Sequence, residues 1–380
     1  MKRIIGFIMA AIILVNLIFV SSAEDIAPFS LNCKSAVLMD VESGRILYMA
    51  NADTPLAPAS VTKVMTLLLI FEAIDSGALK YDDMVSTSDY AASMGGSQVF
   101  LESGESMSVD EMLKCVVVSS ANDAAVALAE KIAGSEAMFV EKMNVRALEL
   151  GMNNTNFENV TGLDDDTVNH TISARDIAIA SRELIKNHPS ILNYSTIWMD
   201  SVRNGEFGLS NTNRLIRFYD GATGLKTGST SKAGFCISAT AKRGDLHLIA
   251  VIMGASTRDE RNNAAKMLLD WGFATYKNYR VEDSEGENIK VKKGICESVE
   301  TKIVGFSTLI GNGYENKIEI EKEIPKSVNA PVKKGEKLGS IKYVCDGEVI
   351  GEASVIAESD VRTLGFWDVF AKILRSMCVC

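Results

Sequence analysis

Three short motifs, each carrying a hydroxyl or an amine, follow one another along the chain: Ser60-Val-Thr-Lys63, Ser120-Ala-Asn122 and Lys226-Thr-Gly228. A serine hydroxyl becomes a strong nucleophile when a base sits within hydrogen-bond reach of its proton. Residues three apart on a helix share a face, about one turn from each other, so Ser60 and Lys63 point into one cleft. The second motif adds another hydroxyl and an amide. The third adds a cation beside a glycine, which lets a backbone N–H come close to a ligand. Together they read as an acyl-transfer site built on a serine and a lysine in place of a Ser-His-Asp triad.

A lysine works as a base only without its proton, so its surroundings must lower its pKa. Pro58 precedes the first motif, and Val64-Met65-Thr66-Leu67-Leu68-Leu69-Ile70 continues it as a mainly apolar run. This predicts a buried helix over Ser60 to Gly77. Burial disfavours the ammonium form. Bringing a lysine to about 7 or 8 takes roughly 3 pKa units, or about 4 kcal/mol. Lys226 pushes the same way if it lies across the cleft. Ser60 also stands near a helix N-terminus, where free N–H groups can help build an oxyanion hole.

The elements that must position these groups form an α/β pattern. Ala36 to Asp40 and Arg45 to Met49 flank Ser43-Gly44 as a hairpin. Helix is expected over 109–133 with a break at Ser119 to Asn122, and again from Ser173, an N-cap with Asp176 placed as in a capping box. Strands are expected around Lys226 to Gly228, from Gly234 to Lys242 and from Leu246 to Met253, followed by helix over Asp259 to Tyr276. Strands from both ends of this region, with helices between them, imply antiparallel pairing. Beyond Tyr279, segments such as Asn288 to Lys292, Lys317 to Glu321, Gly339 to Tyr343 and Val349 to Ile356 alternate at period two. They predict a small sandwich-like β domain, read as a spacer.

Composition narrows the function. A chain of 380 residues, 47% hydrophobic, suits two domains, and a net charge of −10 argues against nucleic acid. Lys2 and Arg3, an apolar run from Ile4 to Val20, and Ser21-Ser22-Ala23 read as an export signal over 1–23. The seven cysteines are scattered and define no disulfide framework, and Cys115 and Cys236 read as buried free thiols. Three histidines without H-E-x-x-H spacing give no metal site, and no cofactor is expected. Gly221 to Thr227 imitates a phosphate loop, but Leu225 occupies a required glycine position. Near the C-terminus Phe366, Trp367, Phe370, Ile373, Leu374 and Met377 fall within an arc of roughly 120°. That pattern reads as an in-plane membrane helix over 363–380, the alternative being a helix docked on the protein's own core.

With its three motifs and the stretches Ala36 to Asp40, Gly44 to Tyr48, Pro58 to Lys63, Ser119 to Ala124, Gly162 to Asp164, Ser173 to Asp176, Gly224 to Gly228 and Met267 to Phe273, the chain resembles a low-molecular-mass penicillin-binding protein. The resemblance is to serine-type D-Ala-D-Ala carboxypeptidases of peptidase family S11, and it covers nearly the whole chain after residue 23. It implies a serine β-lactamase/penicillin-binding transpeptidase-like domain over 24–278, with an antiparallel sheet and a helical lobe. A β-sandwich-like domain over 279–362 and the amphipathic helix follow. It implies peptidoglycan stem peptides and β-lactams as ligands, and attachment to the outer face of the cytoplasmic membrane.

In the roles the resemblance implies, Ser60 is acylated, Lys63 is its general base and Ser120 relays protons. Asn122 holds the substrate amide, while Lys226 and Thr227, beside Gly228, bind the terminal carboxylate. The N–H groups of Ser60 and Ser229 form the oxyanion hole, and Arg214 and Arg261 fall where relatives have cleft arginines. Thr161 and Ser229 stand where some relatives have histidine, which affects substrate preference. A β-lactamase is disfavoured because no E-x-x-L-N pattern follows the second motif, which also lacks the central Asp of Ser-Asp-Asn. An endopeptidase acting on cross-links is separated only by pocket shape. A wall-binding scaffold with a dead site is disfavoured by the intact motifs.

Overall fold

The computed structural model describes residues 29–165 and 167–377, with side chains through residue 371. The leader over 1–23, Cys378, Cys380 and the side chains of Ile373, Leu374 and Met377 lie outside the described residues.

The apolar run at 36–39 forms strand β1 (Ser35–Asp40), which turns back through Gly44 into β2 (Ile46–Ala50). Gly44 has φ +73°, a conformation glycine adopts without a Cβ clash. Far along the sequence, β3 (Ala222–Thr230), β4 (Gly234–Arg243) and β5 (Leu246–Ala255) complete a five-stranded antiparallel sheet of order β2-β1-β5-β4-β3. The register sets Val37 against Val251 and Lys226 against Ser238. β3, which carries the third motif, is an edge strand.

Both faces of the sheet are covered, which explains why β1 and β5 are apolar almost throughout. One face meets α1 (Lys63–Asp75) and, from further along the chain, the helix Ala174–Asn187; Val37, Met39, Val251 and Met253 share a core with Leu67, Phe71, Ile177 and Leu184. The other face meets the helix Arg258–Thr275, where Gly272 allows close approach. A Cβ there would lie 2.6 Å from Leu248 and 2.8 Å from Leu38. A helical lobe of α2 (Val109–Val118), α3 (Asn122–Ala133) and α4 (Glu136–Glu149) packs beside α1. α2 starts at a complete capping box of Ser108 and Glu111. The break between α2 and α3 falls where the sequence placed it, with Ser120 at φ +63°.

Two local expectations need correction. Ser60 does not open an α-helix: it lies in a 3₁₀ turn, Ala59–Thr62, and the α-helix begins at Lys63. The cause is Ala59, whose φ of +48° breaks the helical path just before the serine. In a 3₁₀ turn side chains at i and i+3 eclipse, so Lys63 stands directly over Ser60. Ser173 does cap its helix by accepting from Asp176 N–H at 3.1 Å. The Asp176 carboxylate, however, does not return to the cap. It accepts from Asn154 N–H and the Thr155 hydroxyl instead, tying down the preceding loop.

The helix Arg258–Thr275 runs straight into β6 (Tyr276–Val281), which pairs with Phe306–Gly311 across the expected boundary at 278/279. The second domain is all β, as its alternation foretold. Its largest sheet orders Ser284–Glu285, Thr301–Val304, Glu348–Ala357, Lys337–Cys345 and Ile318–Glu323. Ile289, Val291, Tyr343, Val355 and Val361 fill its core. The final helix, Phe366–Met377, leaves Phe366, Trp367 and Phe370 exposed. No helix among the described residues is long and apolar enough to cross a membrane.

Gly162 couples the lobe to the nucleophile turn. Its φ is +82°, and a Cβ there would fall 1.8 Å from the Ala59 carbonyl oxygen. Gly162→Ala should therefore lower stability by about 3 kcal/mol or more, read as a fall in the melting temperature. An unchanged melting temperature would show that the contact is dispensable.

Candidate active site

The three motifs, separated by more than a hundred and fifty positions of sequence, meet in one cleft of about 600 Å³. Its lining includes Ser60, Ser120, Thr227, Gly228, Ser229, Arg214 and Arg261 from the sequence reading. Lys63, Asn122 and Lys226 are buried just beneath it.

Lys63 Nζ makes three polar contacts: Ser60 Oγ at 3.1 Å, Asn122 Oδ1 at 2.6 Å and the Thr161 carbonyl at 2.8 Å. The last two partners can only accept. A neutral amine has two N–H donors and one lone pair, so with both donors taken the lone pair is left facing Ser60. The environment favours that neutral form. Lys63 is fully buried, and its pKa lies well below 10.5, because of burial first and the charge of Lys226 second, with Asp123 opposing. The Asp123 carboxylate itself accepts from the N–H groups of Val99, Leu101 and Ala124. Asn122 is fixed at its other end by donating to the Gly95 carbonyl at 2.7 Å, so its amide cannot rotate away.

A second amine mirrors the first. Lys226 Nζ lies 2.8 Å from Ser120 Oγ and 2.9 Å from the Thr227 carbonyl. Burial, then Arg261, lowers its pKa from 10.5 to about 7. Ser120 thus meets Lys226 from a left-handed backbone position. Gly228 explains why the third motif needs its glycine. A Cβ there would lie 2.8 Å from Ser60 N and 2.9 Å from Pro58 O and Val61 N, forcing β3 away from the serine.

The cleft is strongly cationic. Arg261 is buried, donates to Asn262 Oδ1 at 2.9 Å, and is lowered from 12.5 to about 10 by burial and then by Arg258. Among the described residues, none of Arg214, Arg258 and Arg261 has a carboxylate within ion-pair distance. No acidic side chain lines this cleft among the described residues. Guanidinium groups left in this way suit an anionic ligand.

Sequence reasoning missed several contributors. Arg258 follows the helix cap Thr257, and its place at a helix start beside Arg261 was the signal available. Trp198 and Phe218 form an edge-to-face pair at the rim, and Thr212 accepts from Thr227 Oγ1 at 2.8 Å. His170 braces the nucleophile turn. Its Nδ1 accepts from Glu158 N–H at 2.9 Å, so Nε2 carries the proton and donates to Thr62 Oγ1 at 2.8 Å. Thr62 in turn donates to the Ala59 carbonyl at 2.9 Å, bracing the strained turn. Burial lowers His170 to about 4 and so keeps it neutral near pH 7. The thiols of Cys115 and Cys236 are free and buried, as expected, and no group of metal ligands occurs among the described residues.

A family model described as D-alanyl-D-alanine carboxypeptidase matches residues 21–257. One for the C-terminal domain of penicillin-binding protein 5 matches 274–363. The D-alanyl-D-alanine carboxypeptidase DacF of Bacillus subtilis is 42% identical over 379 residues, covering 96% of both chains. Penicillin-binding protein 5 from Haemophilus influenzae matches in structure with TM-score 0.75 and 33% identity, covering 89% of this chain and 99% of that one. The ampicillin-bound form of penicillin-binding protein D2 from Listeria monocytogenes matches with TM-score 0.59 and 32% identity, over 64% of this chain and 99% of that one.

The depressed pKa of Lys226 makes a signed prediction. Between about 7 and 10.5 the folded chain leaves this amine neutral while the unfolded chain protonates it. Unfolding then takes up a proton, so native stability from this group is lost as pH falls through that window. Replacing it by Lys226→Met should stabilise the chain relative to native, by about 1.4 kcal/mol more for each pH unit descended across the window. Urea unfolding of both chains from pH 7 to 10 tests this. A difference independent of pH would contradict the neutral, buried amine.

Proposed function

The chain belongs to the D-alanyl-D-alanine carboxypeptidase family, peptidase family S11, and on that footing we propose that Ser60 performs the hydrolysis as an acyl-enzyme. The observation that carries the reading is Lys63 Nζ at 3.1 Å from Ser60 Oγ, with its two other contacts made to oxygens that can only accept. The substrate is a peptidoglycan stem pentapeptide. Ser60 Oγ attacks the carbonyl of the penultimate D-alanine while Lys63 takes its proton. The backbone N–H groups of Ser60 and Ser229 hold the developing oxyanion. Lys226, with Thr227, Arg261, Arg258 and Arg214, binds the terminal carboxylate.

Collapse of the tetrahedral intermediate breaks the peptide bond. The proton held by Lys63 passes through Ser120 to the departing amine of D-alanine. Water then enters, gives its proton to the same relay and attacks the ester, which frees the shortened peptide and restores Ser60. β-Lactams enter by the first half of this route. Among the described residues no carboxylate lines the cleft to activate water, which suits the chain to forming a penicillin adduct rather than clearing it rapidly. That arrangement favours a penicillin-binding carboxypeptidase over a β-lactamase.

For location, the basic start and apolar run of residues 1–23 support export across the cytoplasmic membrane. The exposed Phe366, Trp367 and Phe370 support peripheral attachment to its outer face through the final helix. The β domain would then hold the cleft away from the bilayer.

With diacetyl-L-Lys-D-Ala-D-Ala the native chain should release D-alanine, and fluorescent penicillin should label it. Ser60→Ala should abolish both signals, and retained labelling would move the nucleophile elsewhere. Arg261→Ala should raise KM by about 10- to 100-fold, the worth of a charge-assisted hydrogen bond. An unchanged KM would remove this arginine from carboxylate binding. Product analysis on purified muropeptides separates loss of D-alanine from cleavage of cross-links. Deleting residues 363–380 should release the protein from sedimenting membranes.

A further inference from the structure

The chain is acidic overall, with a net charge of −10, yet one concave face of the C-terminal domain gathers lysines. Lys290, Lys292, Lys293 and Lys326 line a groove of about 420 Å³. Lys290 and Lys292 are the outward residues of the strand Ile289–Lys292, whose Ile289 and Val291 turn into the core. Parallel pairing of Lys290 with Ser327 and of Lys292 with Asn329 brings Lys326 alongside. Elsewhere in the domain, Lys302, Lys317, Lys337 and Lys342 each have an acidic partner. Among the described residues, none of the four groove lysines has a carboxylate within ion-pair distance. Glu297 shares the wall and leaves the positive charge in excess.

The groove is also fixed to the final helix. Leu364 lines it, and Leu364 N–H donates to the Lys293 carbonyl at 2.8 Å. Gly294 bridges to Thr363, and Ile295 N–H donates to the Arg362 carbonyl at 3.0 Å. Two residues beyond Leu364 the helix begins, with Phe366 and Trp367 each 76% exposed. Segments joined by these backbone hydrogen bonds therefore present a cationic hollow and an aromatic helix start together. The attachment of an in-plane amphipathic helix grows with its buried apolar area plus electrostatic attraction to anionic lipids.

We propose that Lys290, Lys292, Lys293 and Lys326 form a docking surface for anionic phospholipid headgroups, seating the β domain on the bilayer beside the final helix. This rests on the membrane-facing reading above and adds the lipid class and the residues that select it. The lysines act as point charges on phosphate and need no fixed geometry, which suits a fluid surface.

The test is vesicle co-sedimentation of the chain lacking residues 1–23, since residues 31–380 form a compact unit. Vesicles are phosphatidylcholine alone, or with about a third phosphatidylglycerol. The native chain should bind the anionic vesicles at least about tenfold more tightly, and the preference should fade with salt. The combined variant K290Q/K292Q/K293Q/K326Q should lose most of that preference, keep its binding to phosphatidylcholine and keep its release of D-alanine. A variant that retains the full preference, or a native chain without one, overturns the proposal while leaving the helix anchor standing. A native chain that binds neither vesicle overturns the anchor and the proposal together. Displacement by soluble poly(glycerol phosphate) or inorganic phosphate at matched ionic strength, beyond what chloride achieves, would assign the lysines to a free phosphate ligand and also overturn it.

Discussion

The structure depends on keeping an amine without its proton inside a protein. Lys63 is a fully buried lysine with no carboxylate at its nitrogen among the described residues; an amide oxygen and a backbone carbonyl take its N–H groups. Burial supplies the larger part of the pKa depression and the nearby Lys226 adds to it. Each of these could be undone by one acidic neighbour, which explains the chemistry of the surroundings. Asp123 is close enough to matter, and its oxygens are occupied by three backbone N–H groups.

Holding the hydroxyl to that amine requires unusual backbone. Ala59 and Ser120 both have positive φ, and such non-glycine positions cost about 1–3 kcal/mol each. The surrounding packing over-determines them. Gly162 lets the lobe close over the Ala59 carbonyl, Gly228 lets the edge strand close on Ser60, and His170 with Thr62 braces the turn from behind. The nucleophile is thus clamped between sheet and lobe, with its neighbours set before any substrate arrives.

Much of this was legible in the sequence because the informative signals were local. Motif spacing put Ser60 beside Lys63. The apolar run after Lys63 foretold its burial, and period-two alternation marked the second domain. What escaped came from tertiary contacts. Nothing around Ala59 announces a left-handed residue, so the helix was expected one turn too early. The Asp176 carboxylate found a better partner in the 154–155 loop than at its own cap. The Thr161 carbonyl could not be foreseen at all, since a backbone atom carries no residue signature. Arg258 and Trp198 enter the cleft only through how the final helix of the first domain and the 198–218 segment fold back over it.

The protonation state of Lys63 is the most direct point of attack. Nuclear magnetic resonance of the chain labelled with ¹⁵N at lysine side chains, titrated against pH and assigned by comparison with Lys63→Arg, reads that amine alone. A buried amine beside Lys226 should take the neutral-amine position well below the ordinary lysine range. A resonance that keeps its ammonium position up to the ordinary lysine range near 10.4 would contradict it.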